Sequence, residues 1–170
     1  MKIVLVGYMT SGKSTVGRLL ARQLEATFID LDEYIEQSQQ KSIKDIFSEE
    51  GEIFFRKLEH RTLSEVLKNE EDIILSTGGG TPCYGNNMST ILQGSDHSIY
   101  LNLSIPSLVD RISREKENRP LVKNISDADL PEFIGKHLFE RRPFYLQAKH
   151  ILDCDGLDVE TVVEEIKGLL

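Results

Sequence analysis

The chain has 170 residues, 39% hydrophobic and 28% charged, enough for one full core and too few for two ordinary domains. Twenty Lys and Arg against 28 Asp and Glu give a net charge of −8 with no long basic stretch, which argues against a nucleic-acid or anionic-membrane surface. Cys83 and Cys154 lack metal or redox spacing, and the longest apolar stretch near the N-terminus, Ile3–Val6, is far too short for a membrane span or a secretory signal. The expectation is a monomeric, cytoplasmic protein in which any anionic ligand is met by locally placed cations.

Short β-rich runs recur at Lys2–Val6, Thr27–Asp30, Ile73–Leu75, Ser98–Leu103 and His150–Leu152, with amphipathic segments between them, a pattern that predicts a parallel sheet covered by helices. Lys13–Leu24 carries Val16, Leu19, Leu20 and Leu24 at helical spacing. Ser42–Asp45 has capping-box form and opens a helix that Gly51 is expected to break. The next helix would place Phe55, Leu58, Thr62, Val66 and Leu67 on one side. Pro106 and Pro131 each suit the first turn of a further helix.

Gly7-Tyr-Met-Thr-Ser-Gly12-Lys13-Ser14 satisfies G-x-x-x-x-G-K-[ST] between a predicted strand and a predicted helix. Such a loop closes backbone N–H groups around phosphates, Lys13 adds a point charge, and the Ser14 hydroxyl can ligate Mg²⁺, so a nucleoside triphosphate is the expected ligand. N-K-x-D is absent, which argues against a GTPase switch, and the D-x-x-G match at Asp153–Gly156 follows the last strand and is expected to be a turn. Asp30 and Asp32 close the second strand, where alternation would put both carboxylates on one side, one for the metal shell and one for a substrate hydroxyl. A helix N-cap at either position is the competing reading.

Gly78-Gly79-Gly80 ends the third strand and suggests backbone passing close to a ligand. Ser113–Asn124 is highly charged, with few apolar anchors, and is expected to form a mobile lid carrying Arg119 over the phosphates. His60, His97, His137 and His150 share no metal spacing and are assigned nothing.

In order, G-x-x-x-x-G-K-S, D-x-D, F-R, G-G-G, R-P-L and R-x-P-x-Y resemble the shikimate kinase family across nearly the whole chain. The resemblance implies one phosphate-loop kinase domain over 1–170, an α/β fold of the nucleoside monophosphate kinase type with a five-stranded parallel sheet flanked by helices. It also implies a substrate-binding helical region at about 31–62 and a lid at about 112–124. The implied reaction is ATP-dependent phosphorylation of the 3-hydroxyl of shikimate, on the route to aromatic amino acids, with Mg²⁺. Carried onto matching positions, it puts ATP against Thr10, Ser11, Gly12, Lys13, Ser14 and Thr15, with Arg111 on the base and Arg119 on the phosphates. Ser14 and Asp30 would serve the metal. Asp32, Arg56, Gly79 and Arg141 would hold shikimate, and Lys13, Asp32 and Arg119 would carry the catalysis. Arg142 would be the solvated or ion-paired neighbour of Arg141. Two departures stand out: Thr10 replaces a frequent glycine, which suits a backbone cradle if that position avoids positive φ, and Leu152–Glu160 lacks the arginine and proline that frame adenine in many relatives. The competing readings are another small-molecule kinase, such as a gluconate or nucleotide kinase, and more distantly a nucleotide-operated switch or binding module.

Overall fold

Ile3, Val4, Leu5 and Val6 are completely buried in β1 (Lys2–Val6), the central strand of a parallel sheet. The computed structural model describes residues 1–170. A strand with no polar alternation needs cover on both faces, which is why β1 and β3 (Ile73–Ser76) occupy the middle while β2 (Thr27–Asp30) and β5 (His150–Asp153), with more exposed residues, form the edges. With β4 (His97–Asn102) the order is β2-β3-β1-β4-β5, all neighbours parallel. The chain leaves β1 for β2 on one side of the sheet and later crosses from β3 past β1 to β4 on the other, so the crevice beyond the carboxyl end of β1 is the expected ligand position.

Seven helices connect and cover the strands. These are α1 (Lys13–Gln23), α2 (Leu31–Gln39), α3 (Ile43–Asn69), α4 (Asn87–Gly94), α5 (Ile105–Glu115), α6 (Leu130–Tyr145) and α7 (Val159–Lys167). α1 packs on α7, α3 on α4, and α5 on α6. Phe55, Leu58, Thr62, Val66 and Leu67 are all buried, as their spacing predicts. Fully burying an aliphatic side chain contributes roughly 1.5–3 kcal/mol before entropy costs. Pro106 and Pro131 stand in the first turns of α5 and α6, and Asp155–Gly156 is a turn.

Gly51 breaks the helix as expected: at φ 85°, ψ 172° it is non-helical, and α3 is two helical segments that meet at this kink, the second running on to Asn69. One local expectation needs correction. The Ser42 hydroxyl accepts from the Asp45 N–H at 3.1 Å, a one-sided cap, because the shorter Asp45 side chain does not return the bond that a glutamate makes in a full box.

Candidate active site

The loop between β1 and α1 turns at Gly12, φ 93°, and delivers Lys13 as the first residue of α1. No side chain caps this helix, so its first N–H groups are free to face an anion. Lys13 is only 8% exposed, and its ammonium donates to the carbonyls of Gly7 (2.8 Å) and Tyr8 (2.9 Å). Burial is the main cause that lowers its pKa to about 8, against the pull of Asp32 and Asp30.

Thr10 contradicts the condition placed on it, for it sits at φ 62°, and its hydroxyl oxygen is buried without a partner. The loop holds this geometry through the Thr10 carbonyl, which accepts from Arg111 at 3.1 Å. Arg111 is thus tied to the loop backbone beside Gly12. Thr10→Gly is expected to stabilise the protein by about 1 kcal/mol, or roughly 2–4 °C in Tm, because glycine removes both the left-handed strain and the orphaned hydroxyl. Thermal unfolding of the two proteins checks this.

Asp30 and Asp32 do not alternate along a strand, since the chain enters α2 at Leu31 and Asp32 lies in its first turn. The helix-cap reading holds for Asp30, and the cap uses only one of the two carboxylate oxygens. Its Oδ1 caps α2, accepting from the N–H groups of Asp32 (3.1 Å) and Glu33 (3.3 Å), while Oδ2 accepts from the Ser14 hydroxyl at 2.6 Å. Ser76 Oγ lies 3.3 Å from Ser14 Oγ, so three hard oxygens meet at the carboxyl ends of β2 and β3. The Asp32 carboxylate lies against Gly78, where a Cβ would come within 3.0 Å of Oδ1. Burial, followed by the nearby Asp30 and Glu59, pushes its pKa up to about 6.

The glycine run brings two cations together. A Cβ on Gly80 would lie 3.2 Å from Arg56 Nη2 and 3.3 Å from Arg141 Nη2, and one on Gly79 would lie 3.2 Å from Arg141 Nη1. A side chain at either glycine would press on these guanidinium groups and displace them by a few tenths of an ångström. Arg56 bonds Glu59 at 3.0 Å and stacks over the Tyr84 ring at 3.6 Å. Arg141 makes none of the chain's ion pairs. Arg142 is exposed, as expected of a solvated neighbour, and lines a separate cleft with Asp153 and Asp155.

A cleft of about 610 Å³ joins the phosphate loop to Asp30, Asp32, Arg111 and Arg119. A recess of about 180 Å³, walled by Phe47, Phe55, Arg56 and Glu59, shares Asp32, Gly78 and Gly79 with it. Asp32 therefore stands at the junction of the two cavities. A larger cavity of about 770 Å³ lies beyond Arg56 and touches neither the phosphate loop nor Asp32.

The segment expected to form a lid has more structure than its composition suggests. α5 extends to Glu115, a 3-10 turn covers Lys116–Asn118, and Val122 is fully buried, an apolar anchor for the charged stretch. Arg119 faces the cleft while bonded to Glu115 at 2.9 and 3.2 Å.

Glu59 escaped the sequence reading. It is 1% exposed, takes Arg56 on one oxygen and the Thr81 hydroxyl (2.8 Å) on the other; its signal was a carboxylate three residues after Arg56 on an otherwise apolar helix face. Tyr145, noted only for its spacing, donates to the Gly79 carbonyl at 2.6 Å.

The family model described as shikimate kinase matches residues 9–170. The chain belongs to the shikimate kinase family. It is 44% identical to the shikimate kinase of Flavobacterium psychrophilum, over 99% of this chain and 98% of that protein. The crystal structure of the Bacteroides thetaiotaomicron shikimate kinase superposes with a TM-score of 0.93 at 38% identity, covering 99% and 97% of the two chains. The Acinetobacter baumannii shikimate kinase, solved in complex with shikimate, gives a TM-score of 0.88 at 31% identity over 99% and 91%. A deoxyadenosine kinase from M. mycoides shares the fold alone, at 20% identity and a TM-score of 0.63. Family membership and the five-stranded parallel sheet thus agree with the expectation from the ordered motifs, whereas the likeness to a nucleoside kinase extends no further than the fold.

Proposed function

We propose that the chain transfers the γ-phosphoryl group of ATP to the 3-hydroxyl of shikimate, giving ADP and shikimate 3-phosphate. The observation that carries this reading is Asp32 at the junction of the phosphate-loop cleft with a recess beside which two arginines converge on a glycine run. That recess suits a small hydroxylated acid. Arg56 and Arg141 take the carboxylate as planar forks, Asp32 accepts from the ring hydroxyls, and the Gly79 backbone packs against the ring. Glu59 keeps Arg56 aimed, and Phe47 and Phe55 supply the apolar wall.

Thr10, Ser11, Gly12, Lys13, Ser14 and Thr15 cradle the triphosphate, and Arg111 lies along the nucleotide. The donors Ser14 Oγ and Asp30 Oδ2 are hard oxygens 2.6 Å apart, a set that fits Mg²⁺ completed by phosphate oxygens and water. When bound, the ion neutralises phosphate charge. As the 3-hydroxyl oxygen bonds to the γ-phosphorus, its proton passes to Asp32, and the bond from phosphorus to the ADP oxygen breaks. Lys13 and Arg119 stabilise the charge on the transferring group, Arg119 exchanging Glu115 for phosphate as the segment at about 112–124 closes over the cleft. The helical segment at about 31–62 forms the acceptor side of this single kinase domain.

Coupled ADP release with shikimate, gluconate and nucleoside monophosphates as competing acceptors tests the assignment. Shikimate is expected to support turnover far above ATP hydrolysis, and turnover only with another acceptor would overturn it. The two adjacent arginines should separate cleanly. Arg141→Ala is expected to raise KM for shikimate about 10- to 150-fold with little change for ATP, the scale of a lost charge-assisted contact of about 1.5–3 kcal/mol. Arg142→Ala should stay within about threefold, and steady-state kinetics on both variants measures the contrast.

A further inference from the structure

His137, Arg141 and Tyr145 recur every fourth residue along α6 and share one helix face. Each reaches a different part of the site. His137 Nδ1 lies 2.8 Å from the Tyr8 hydroxyl within the phosphate loop, with the two rings edge to face at 5.4 Å. Arg141 reaches Gly79 and Gly80, and the Tyr145 hydroxyl bonds the Gly79 carbonyl. Tyr8 is 1% exposed and Tyr145 fully buried, while His137 is half-buried, so each tyrosine hydroxyl is bonded at the edge of the packed interior.

We infer that His137 is a positioning residue: through Tyr8 it locks α6 to the phosphate loop and thereby sets where Arg141 presents its guanidinium. Arg141 is a long side chain whose reach depends on the rotation and axial position of the helix that carries it. Pro143 lies inside α6 and removes a backbone donor from that turn, so the helix ladder alone holds this region less firmly. Anchors one turn before and one turn after Arg141 replace that rigidity, His137 on the phosphate loop and Tyr145 on the glycine run. The Phe133 ring, 5.6 Å from His137, packs against the imidazole from the preceding turn.

Protonation supports the same geometry. Burial first and Arg141 second hold the His137 pKa below its ordinary value, against the opposing pull of Glu140. Near neutral pH the ring is uncharged and the Tyr8 hydroxyl, whose own pKa burial pushes up to about 12, keeps its proton, so Nδ1 and the hydroxyl pair as two neutral groups, either of which can donate according to the imidazole tautomer.

The inference rests on the reading of Arg141 as a carboxylate ligand for the acceptor, so the experiment includes Arg141→Ala beside His137→Phe, Tyr8→Phe, their double variant and His137→Asn. Losing one buried hydrogen bond sets the expected size: His137→Phe and Tyr8→Phe should each raise KM for shikimate about three- to tenfold, with kcat and KM for ATP within about twofold. The double variant should be no worse than either single one, and His137→Asn, which keeps an acceptor near the Nδ1 position, should recover most of the affinity. Calorimetric titration with shikimate should show the same loss. Tyr8→Phe removes one oxygen without changing shape, so it carries the test if His137→Phe folds poorly. An unchanged shikimate KM in Tyr8→Phe and in every folded His137 variant, beside a large Arg141→Ala defect, overturns the positioning role even if Tm falls. A normal KM in Arg141→Ala overturns the acceptor reading and this inference together.

Discussion

Asp32→Asn is expected to lower kcat/KM for shikimate by about 100-fold or more, because an amide has almost no basicity and accepts fewer hydroxyl bonds than a carboxylate. Position 32 is suited to show the effect, since the group stands between the phosphate cleft and the acceptor recess. Its pKa, pushed up to about 6 mainly by burial and then by Asp30 and Glu59, gives a second signature. As the proposed base, Asp32 must be ionised, so activity is expected above pH 6 and should be lost as pH falls through that value. The wild-type profile of kcat/KM should therefore bend near pH 6, two units above where an exposed aspartate would place it. For stability the sign is opposite. The folded protein binds the Asp32 proton more tightly than the unfolded chain, so this group's contribution declines as pH rises from about 4 to about 6. A mild kinetic effect, with the bend unmoved by the substitution, would leave Asp32 only a structural role in the first turn of α2.

Lys13→Ala is expected to reduce kcat by about 100- to 1,000-fold while shikimate binding changes little, since the proposed role of the ammonium is to meet charge that builds on the transferred phosphoryl group. Arg119→Ala should act in the same direction, and its effect should fall on kcat rather than on shikimate affinity. Lys13 also has a proton signature. Its pKa of about 8 lies below that of a free lysine because the ammonium is buried with only carbonyl and hydroxyl partners. Between about pH 8 and 10.5 the unfolded chain binds more protons at this residue than the folded protein, so its contribution to stability rises with pH across that window. A bound phosphate would restore the charge. Nucleotide binding at about pH 8–9 should therefore take up protons, measurable by calorimetry in buffers of different ionisation enthalpy, and Lys13→Ala should abolish that uptake.

The amino-acid sequence by itself determined the parallel α/β sheet, the phosphate loop and family membership. Continuous apolar strands such as Ile3–Val6 and Ile73–Leu75 need cover on both faces, and the spacing from Gly7 to Ser14 works through local backbone geometry. Neighbours on a helix point about 100° apart, so only one of Arg141 and Arg142 can face the crevice, and the R-x-P-x-Y resemblance is what selects Arg141. Only the tertiary structure decided the relations that depend on distant segments meeting. Asp30 caps its own helix with one oxygen and takes Ser14 with the other, which strand alternation could not foresee because the chain turns helical at Leu31. Thr10 keeps a left-handed φ because the surrounding loop, held by Arg111 from 101 residues away, dictates the backbone there over the preference of a β-branched residue. Glu59 and Val122 look, in sequence, like members of ordinary charged helical and loop segments; one becomes the buried partner of Arg56 and the other the anchor of the lid. Burial and pairing belong to the packed chain, since the same side chain is solvated or desolvated according to what the fold sets against it.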